Sequence, residues 1–297
     1  MINWIALALI FSFIRTGFTM LNEWAKLPGT VMLVWRGFWP LVFMTPVMWL
    51  IEMPSDPKFY LFIAVNAIFA SITDARNFES SARFGGGVTL RLQPVSLVLV
   101  FLAWIAVSAE QRALVMSHPY HMLGILGCLA LGAVALSHLR HCHVSKRAFM
   151  YLLPTVAVAP WIDVFNKLAM DTVGTWHAVV TYIWFQSGLM TVMGIAFLAM
   201  KQKAHLKAVS QVSKAHLAFG CAMGAILVCA GLSKNSAMML TPNPAYVAAI
   251  AMVSPLWATL LYKALGKKEE ANVVMGLLFV FFVTLMLLIA GLIPQAE

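Results

Sequence analysis

Charge is what this chain has least of. Asp, Glu, Lys and Arg make up 10% of its 297 residues, and 62% of the chain is hydrophobic. Soluble domains carry about 25% charged residues, so a water-soluble globule is excluded. Cysteine is also scarce. Of the four, Cys128, Cys221 and Cys229 fall inside apolar runs and Cys142 in a connection, which is no disulfide framework. No Gly-x-x-x-x-Gly-Lys-Ser/Thr occurs, so no P-loop holds ATP. His-Glu-x-x-His and Cys-x-x-Cys are absent too, and neither metal nor cofactor is expected. The net charge of +9 is scattered over short connections, which suits anionic lipid headgroups and not nucleic acid.

What fills the chain is apolar sequence in membrane-length runs. A spanning helix needs roughly 20 apolar residues. Ten runs qualify: 3–22, 30–51, 59–80, 86–107, 120–139, 149–170, 175–200, 214–236, 243–265 and 272–293. The first lacks a basic leader and a small-residue cleavage site, so it is read as a span and not a signal peptide. The expected fold is all-α and integral to the membrane, with ten transmembrane helices in two inverted five-helix repeats around a central cavity. Residues 1–139 form the first repeat, 140–148 a basic linker and 149–297 the second repeat.

One stretch is too polar for its surroundings. From Asp74 to Pro94 it carries Asp74, Arg76, Asn77, Glu79, Arg83, a Gly85-Gly86-Gly87 triplet and Arg91. An ionised side chain near a bilayer centre costs about 2.5–3.5 kcal/mol on insertion scales. Such a cluster persists only where it faces protein or water. The end of the third run, near Ser80, and the start of the fourth, near Gly86, are therefore expected to line a polar cavity. The sixth run adds Trp161, Asp163, Asn166 and Lys167. Asp163 and Lys167, four apart, share a helix face and are expected to pair. Arg15 and Arg91 can clamp a carboxylate or phosphate through forked donors. Trp161, Tyr182 and Trp184 are candidate stacking walls, and Gln186 a polar contact. The candidate substrate-binding set is Arg15, Asp74, Arg76, Asn77, Arg91, Trp161, Asp163, Asn166, Lys167, Tyr182, Trp184 and Gln186, with Asp74, Glu79 and Asp163 as candidate proton carriers. Arg36 reads as a structural partner for a carboxylate such as Glu23.

The second half replays the first. Pro94 in the fourth run precedes Glu110 by 16 residues, and Pro255 in the ninth precedes Glu270 by 15. Each fourth run is followed by one with an early glycine, Gly124 or Gly276. Weak internal symmetry of this kind marks transporter repeats. With Arg36 early in the second run and Lys167 late in the sixth, the chain resembles the EamA-like branch of the drug/metabolite transporter superfamily. It departs in having Asn22-Glu23 where the family often has lysine, and in the charge of the Asp74/Arg76/Arg91 cluster. The resemblance implies a secondary transporter, not an enzyme. It would move a small polar or zwitterionic metabolite, with possible proton coupling, by alternating access in a bacterial cytoplasmic membrane, as a monomer or homodimer. Pro94, Pro154, Pro160 and Pro255 are expected to kink their helices.

Two rivals are a membrane-embedded transferase and a lipid flippase. The transferase would need a catalytic dyad at one face. Only His118, His121, His138, His141 and His143 are candidates, and no acid stands at motif spacing from them. Orientation divides the signals. Connections after the odd-numbered runs hold 13 basic residues against 3 in the others, which puts both termini outside, whereas the family resemblance implies termini inside.

Overall fold

A computed structural model describes residues 2–25, 29–84, 94–139, 146–200, 214–266 and 272–293. Every element in it is a helix. In chain order they are α1 (Ile2–Ala25), α2 (Gly29–Met48), α3 (Pro57–Phe84), α4 (Val95–Val107), α5 (Ala109–Ser117), α6 (Pro119–Ser137), α7 (Lys146–Val173), α8 (Trp176–Met200), α9 (Lys214–Leu240), α10 (Pro244–Ala251), α11 (Ser254–Ala264) and α12 (Val273–Gly291). Among the described residues, eight helical segments are long and apolar enough to cross a membrane, with α10 and α11 counted as one. The bent pair α4–α5 would make a ninth, and α1 adds a shorter apolar stretch, Trp4–Gly17. The chain is a multi-pass, all-helical membrane protein.

The expected spans differ in three places. The third helix continues to Phe84 instead of ending near Ser80. Just past the end of the fourth, at Ser108, the chain turns by 102° into the short helix α5, where a connection was expected. Ser108 caps α5 by accepting from the Gln111 N–H, and Arg112 donates to the Ile105 and Ala106 carbonyls left open at the end of α4. The ninth breaks at Met252–Val253, ahead of Pro255. α7, by contrast, runs unbroken through Pro154 and Pro160, and its first residues take over the end of the expected linker. Gly174, at φ 66°, stops α7 in the left-handed conformation that glycine adopts without a Cβ penalty.

A break inside a membrane bundle leaves carbonyls that water cannot reach, and short hydroxyls of neighbouring helices can satisfy them. Two on α1 do so here. Ser12 Oγ donates to the Ala251 carbonyl at 3.3 Å, and Thr16 Oγ1 donates to that of Ser254 at 3.0 Å.

The broadest interfaces are α2 with α8, α3 with α7, α1 with α9, and α6 with α12. α2 pairs again with α9, as α3 does with α8, and α4 lies on α7 as α10 lies on α1. The α2–α8 crossing is tight at glycine. A Cβ on Gly37 would stand 2.6 Å from the Thr191 backbone nitrogen, and one on Gly194 3.1 Å from the Val34 Cα. Lipid gives no hydrophobic drive between helices, so close backbone approach at small residues supplies the attraction. Trp184 Nε1 bonds Thr45 Oγ1 at 3.1 Å at the other end of the same pair. α6 and α12 stay peripheral, exposing Leu123, Leu131, Leu277 and Phe281.

Candidate functional site

The central helices enclose a cavity of about 310 Å³. α1, α2, α3, α7, α8 and α9 contribute mostly from their middle turns, and α10 adds Val247 and Ala248. Its charged side chains are Arg15, Arg36, Asp74, Asp163 and Lys234. Two ion pairs stand on its wall. Arg36 of α2 holds Asp74 of α3, and Lys234 of α9 holds Asp163 of α7 at 2.7 Å. Arg15 lies between them in sign and position: Asp163 and Asp74 are the carboxylates that act on it electrostatically. The charges therefore alternate from Arg36 through Asp74, Arg15 and Asp163 to Lys234. All four paired side chains line the cavity and keep between 15% and 26% exposure. That partial wetting lowers the cost of holding them inside an apolar bundle.

A band of amides stitches four helices together beside the second pair. Asn66 Nδ2 on α3 donates to the Ile162 carbonyl on α7 at 2.5 Å. Gln186 Nε2 on α8 donates to Asn66 Oδ1 at 2.7 Å, and Asn166 Nδ2 on α7 to Asn235 Oδ1 on α9 at 2.9 Å. All four amide side chains line the cavity.

Of the residues singled out in the sequence, Arg15, Asp74, Asn77, Asp163, Asn166 and Gln186 are brought together on the cavity wall. Five others lie away from it. Arg76 sits over the Tyr151 ring, 5.9 Å from its centroid. Trp161 is 38% exposed and packs on Phe165. Tyr182 is 1% exposed, inside the helix packing, and Trp184 is tied to Thr45. Lys167 does not pair with Asp163: it bonds Asp171, one turn on, at 2.5 Å, because Asp163 is already taken by Lys234. Glu79 accepts from the Tyr151 hydroxyl at 2.6 Å and is not on the wall. Arg91, His141 and His143 lie outside the described residues, as do the side chains of Arg83 and of Glu23, the residue expected opposite Arg36. Arg36 pairs with Asp74 instead.

Sequence reasoning left Asn66, Lys234 and Asn235 out of the site. Their polarity was visible. Their partners come from helices far off in the chain, and no local spacing announces that. Among the described residues, no group of three or more metal-ligating side chains is assembled. No family model matches the chain, and no curated protein is similar to it.

Proposed function

We propose that this protein is a secondary transporter, moving a small polar metabolite across the membrane through its central cavity by alternating access. The observation that carries the reading is the cavity itself. An apolar bundle has placed five charged side chains and five amides around one space, and intramembrane ionisable groups mark pathways by default. A volume of about 310 Å³ falls at the small end of ligand pockets, which run to roughly 1,000 Å³.

The inverted five-helix repeat belongs to this reading. Under it α1 corresponds to α7, α2 to α8, α3 to α9, α4 to the α10–α11 pair, and α6 to α12. The packing comes in sets that such an operation exchanges: α3–α7 with α1–α9, α2–α9 with α3–α8, α4–α7 with α1–α10. α2–α8 and α6–α12 map onto themselves. Rocking of the halves about α2 and α8 would expose the cavity to one side and then the other. Membership in the EamA-like branch and residence in a bacterial cytoplasmic membrane are part of the same proposal. The basic excess then puts the ends at Ala25, Phe84, Met200 and Ala264 in the cytoplasm and both termini outside.

The test is a metabolite screen on purified protein, read by thermal unfolding in detergent and then by uptake into liposomes. A ligand at 100 times its dissociation constant adds about 2.7 kcal/mol of stability. A compound that stabilises the protein and enters loaded liposomes faster than empty ones is the expected result. Silence across the library in both assays would overturn the reading. A cytoplasm-only reporter fused to the C-terminus should stay dark; strong activity would reverse the orientation.

A further inference from the structure

The buried acceptors of the cavity indicate what its substrate brings, and this rests on the transporter reading. Asp74 and Asn77 stand three apart on α3, and Asp163 and Asn166 stand three apart on α7. Residues at i and i+3 share a helix face, and all four line the cavity. α3 and α7 pack against each other, so the cavity wall holds the same Asp-x-x-Asn unit twice. In each unit the aspartate takes a cation from a third helix, Arg36 or Lys234. In each, the asparagine Oδ1 is buried without a hydrogen-bond partner among the described residues. The hydroxyls of Thr73 and Thr155, 5% and 6% exposed, line the same space and have none either. A native protein leaves few such atoms unmet. An amide oxygen can only accept, so whatever fills the cavity must bring N–H or O–H donors to Asn77 and Asn166.

Charge decides which donors. Arg15, Arg36 and Lys234 face two carboxylates among the described lining residues, and both carboxylates already hold a cation. Charge interactions are several-fold stronger in a site of low effective dielectric than in water. An entering ammonium meets cations without an uncommitted carboxylate to receive it. An entering carboxylate or phosphate meets three donors. Hydroxyls, which add no positive charge, are then the donors that suit the asparagines.

We infer that the substrate is a small hydroxylated organic monoanion. Its anionic group sits among Arg15, Arg36 and Lys234, and its hydroxyls donate to Asn77 and Asn166, with Thr155 within the same wall. The two Asp-x-x-Asn units hold the cations in place and read the hydroxyls.

Four sets of probes test this with the full chain in detergent and in liposomes. Gluconate, glycerate and lactate are hydroxylated monoanions; sorbitol is a neutral polyol, choline a cation and serine a zwitterion. At least one of the hydroxylated anions should raise the melting temperature and enter liposomes, and sorbitol and choline should do neither. Asn77→Leu should weaken that binding tenfold or more while the unliganded melting temperature holds. Thr155→Val, which removes a hydroxyl with little change of shape, should weaken it several-fold and covers the case in which the leucine variant misfolds. Binding of sorbitol as tight as that of the anions would remove the role of the charges and overturn the inference. Binding of choline or serine with no response to the anions would overturn it too, and would leave the transporter reading standing. Silence from all four sets and from the wider metabolite library would sink both.

Discussion

Asp74 and Asp163 solve the same problem with different partners. Each is a carboxylate in the middle of an apolar helix, and each is neutralised from another helix, one by Arg36 and the other by Lys234. The guanidinium is a flat, forked donor that locks a carboxylate in one geometry. The ammonium is a point charge on a flexible stem that can turn to a new acceptor. The first pair joins α2 to α3, and the second joins α7 to α9 beside the amide band. Under the proposed transport, the difference would make one wall the one that holds and the other the one that lets go. A substrate anion would draw Lys234 away from Asp163 more readily than it would unfasten Arg36 from Asp74.

The largest expected effect comes from stranding a carboxylate. Breaking a buried pair by removing one member costs about 3–5 kcal/mol. Arg36→Ala should fall near the lower end of that range, since the wall is partly wetted, and Lys234→Ala should cost less, because Arg15, which both carboxylates face, interacts more strongly with Asp163 than with Asp74. Thermal unfolding in detergent measures both, and equal losses would erase the distinction between the walls. The double variant Arg36→Ala/Asp74→Ala should regain most of the loss.

Exchanging the cations sharpens the contrast. Lys234→Arg keeps the charge but replaces a mobile donor with a rigid fork. Initial uptake should drop about tenfold, which is 1.4 kcal/mol, with the melting temperature nearly unchanged. Arg36→Lys should leave uptake within a few-fold. The reverse ranking would mean that the α2–α3 wall is the one that releases.

A third pair provides a control outside the cavity. Lys167 and Asp171 are also oppositely charged, with the Asp171 side chain 42% exposed and that of Lys167 6%. Asp171→Asn leaves the buried ammonium an amide oxygen in place of a carboxylate, so the loss should exceed the about 0–1 kcal/mol of a fully exposed pair but stay below that of Lys234→Ala, with uptake unaltered. Smallest of all should be the triple change His138→Ala, His141→Ala and His143→Ala, with uptake within about two-fold, since surface changes away from special features stay near ±0.5 kcal/mol. Loss of most transport in that variant would return the histidines to the functional set.

Most of the helices were legible in the sequence because a bilayer fixes their length. The runs at 120–139, 175–200 and 272–293 agree with α6, α8 and α12 to within a few residues at each end. The break at Met252–Val253 was legible only as a kink at Pro255 just after it, and the bend at Ser108 was not, since it falls one residue past the expected end of the fourth run, where the chain turns polar at Glu110, Gln111 and Arg112. The site shows the limit more sharply. Lys167 has an aspartate four residues before it and another four after it, at 163 and 171. Helix pairs with the acid on the N-terminal side are the better oriented, so local reasoning favoured Asp163. The fold reversed that choice by bringing Lys234 from α9 to Asp163. A polar residue in an apolar run announces that it has a partner; the chain does not spell out which helix supplies it. Asp74, Asn77 and Asp163 were therefore found from their own oddness, whereas Lys234 and Asn66 waited for three dimensions.

The glycine crossing of α2 and α8 carries a consequence for mutational tolerance. Every substitution at a glycine codon adds at least a Cβ, and at Gly37 that atom would lie 2.6 Å from a backbone nitrogen that no rotamer change can move. Gly194 meets the Val34 backbone nearly as closely, whereas Gly17 and Gly127 have open space around them. In a library of all single missense variants, codons 37 and 194 should stand out as columns in which even alanine is depleted, while codons 17 and 127 accept it freely.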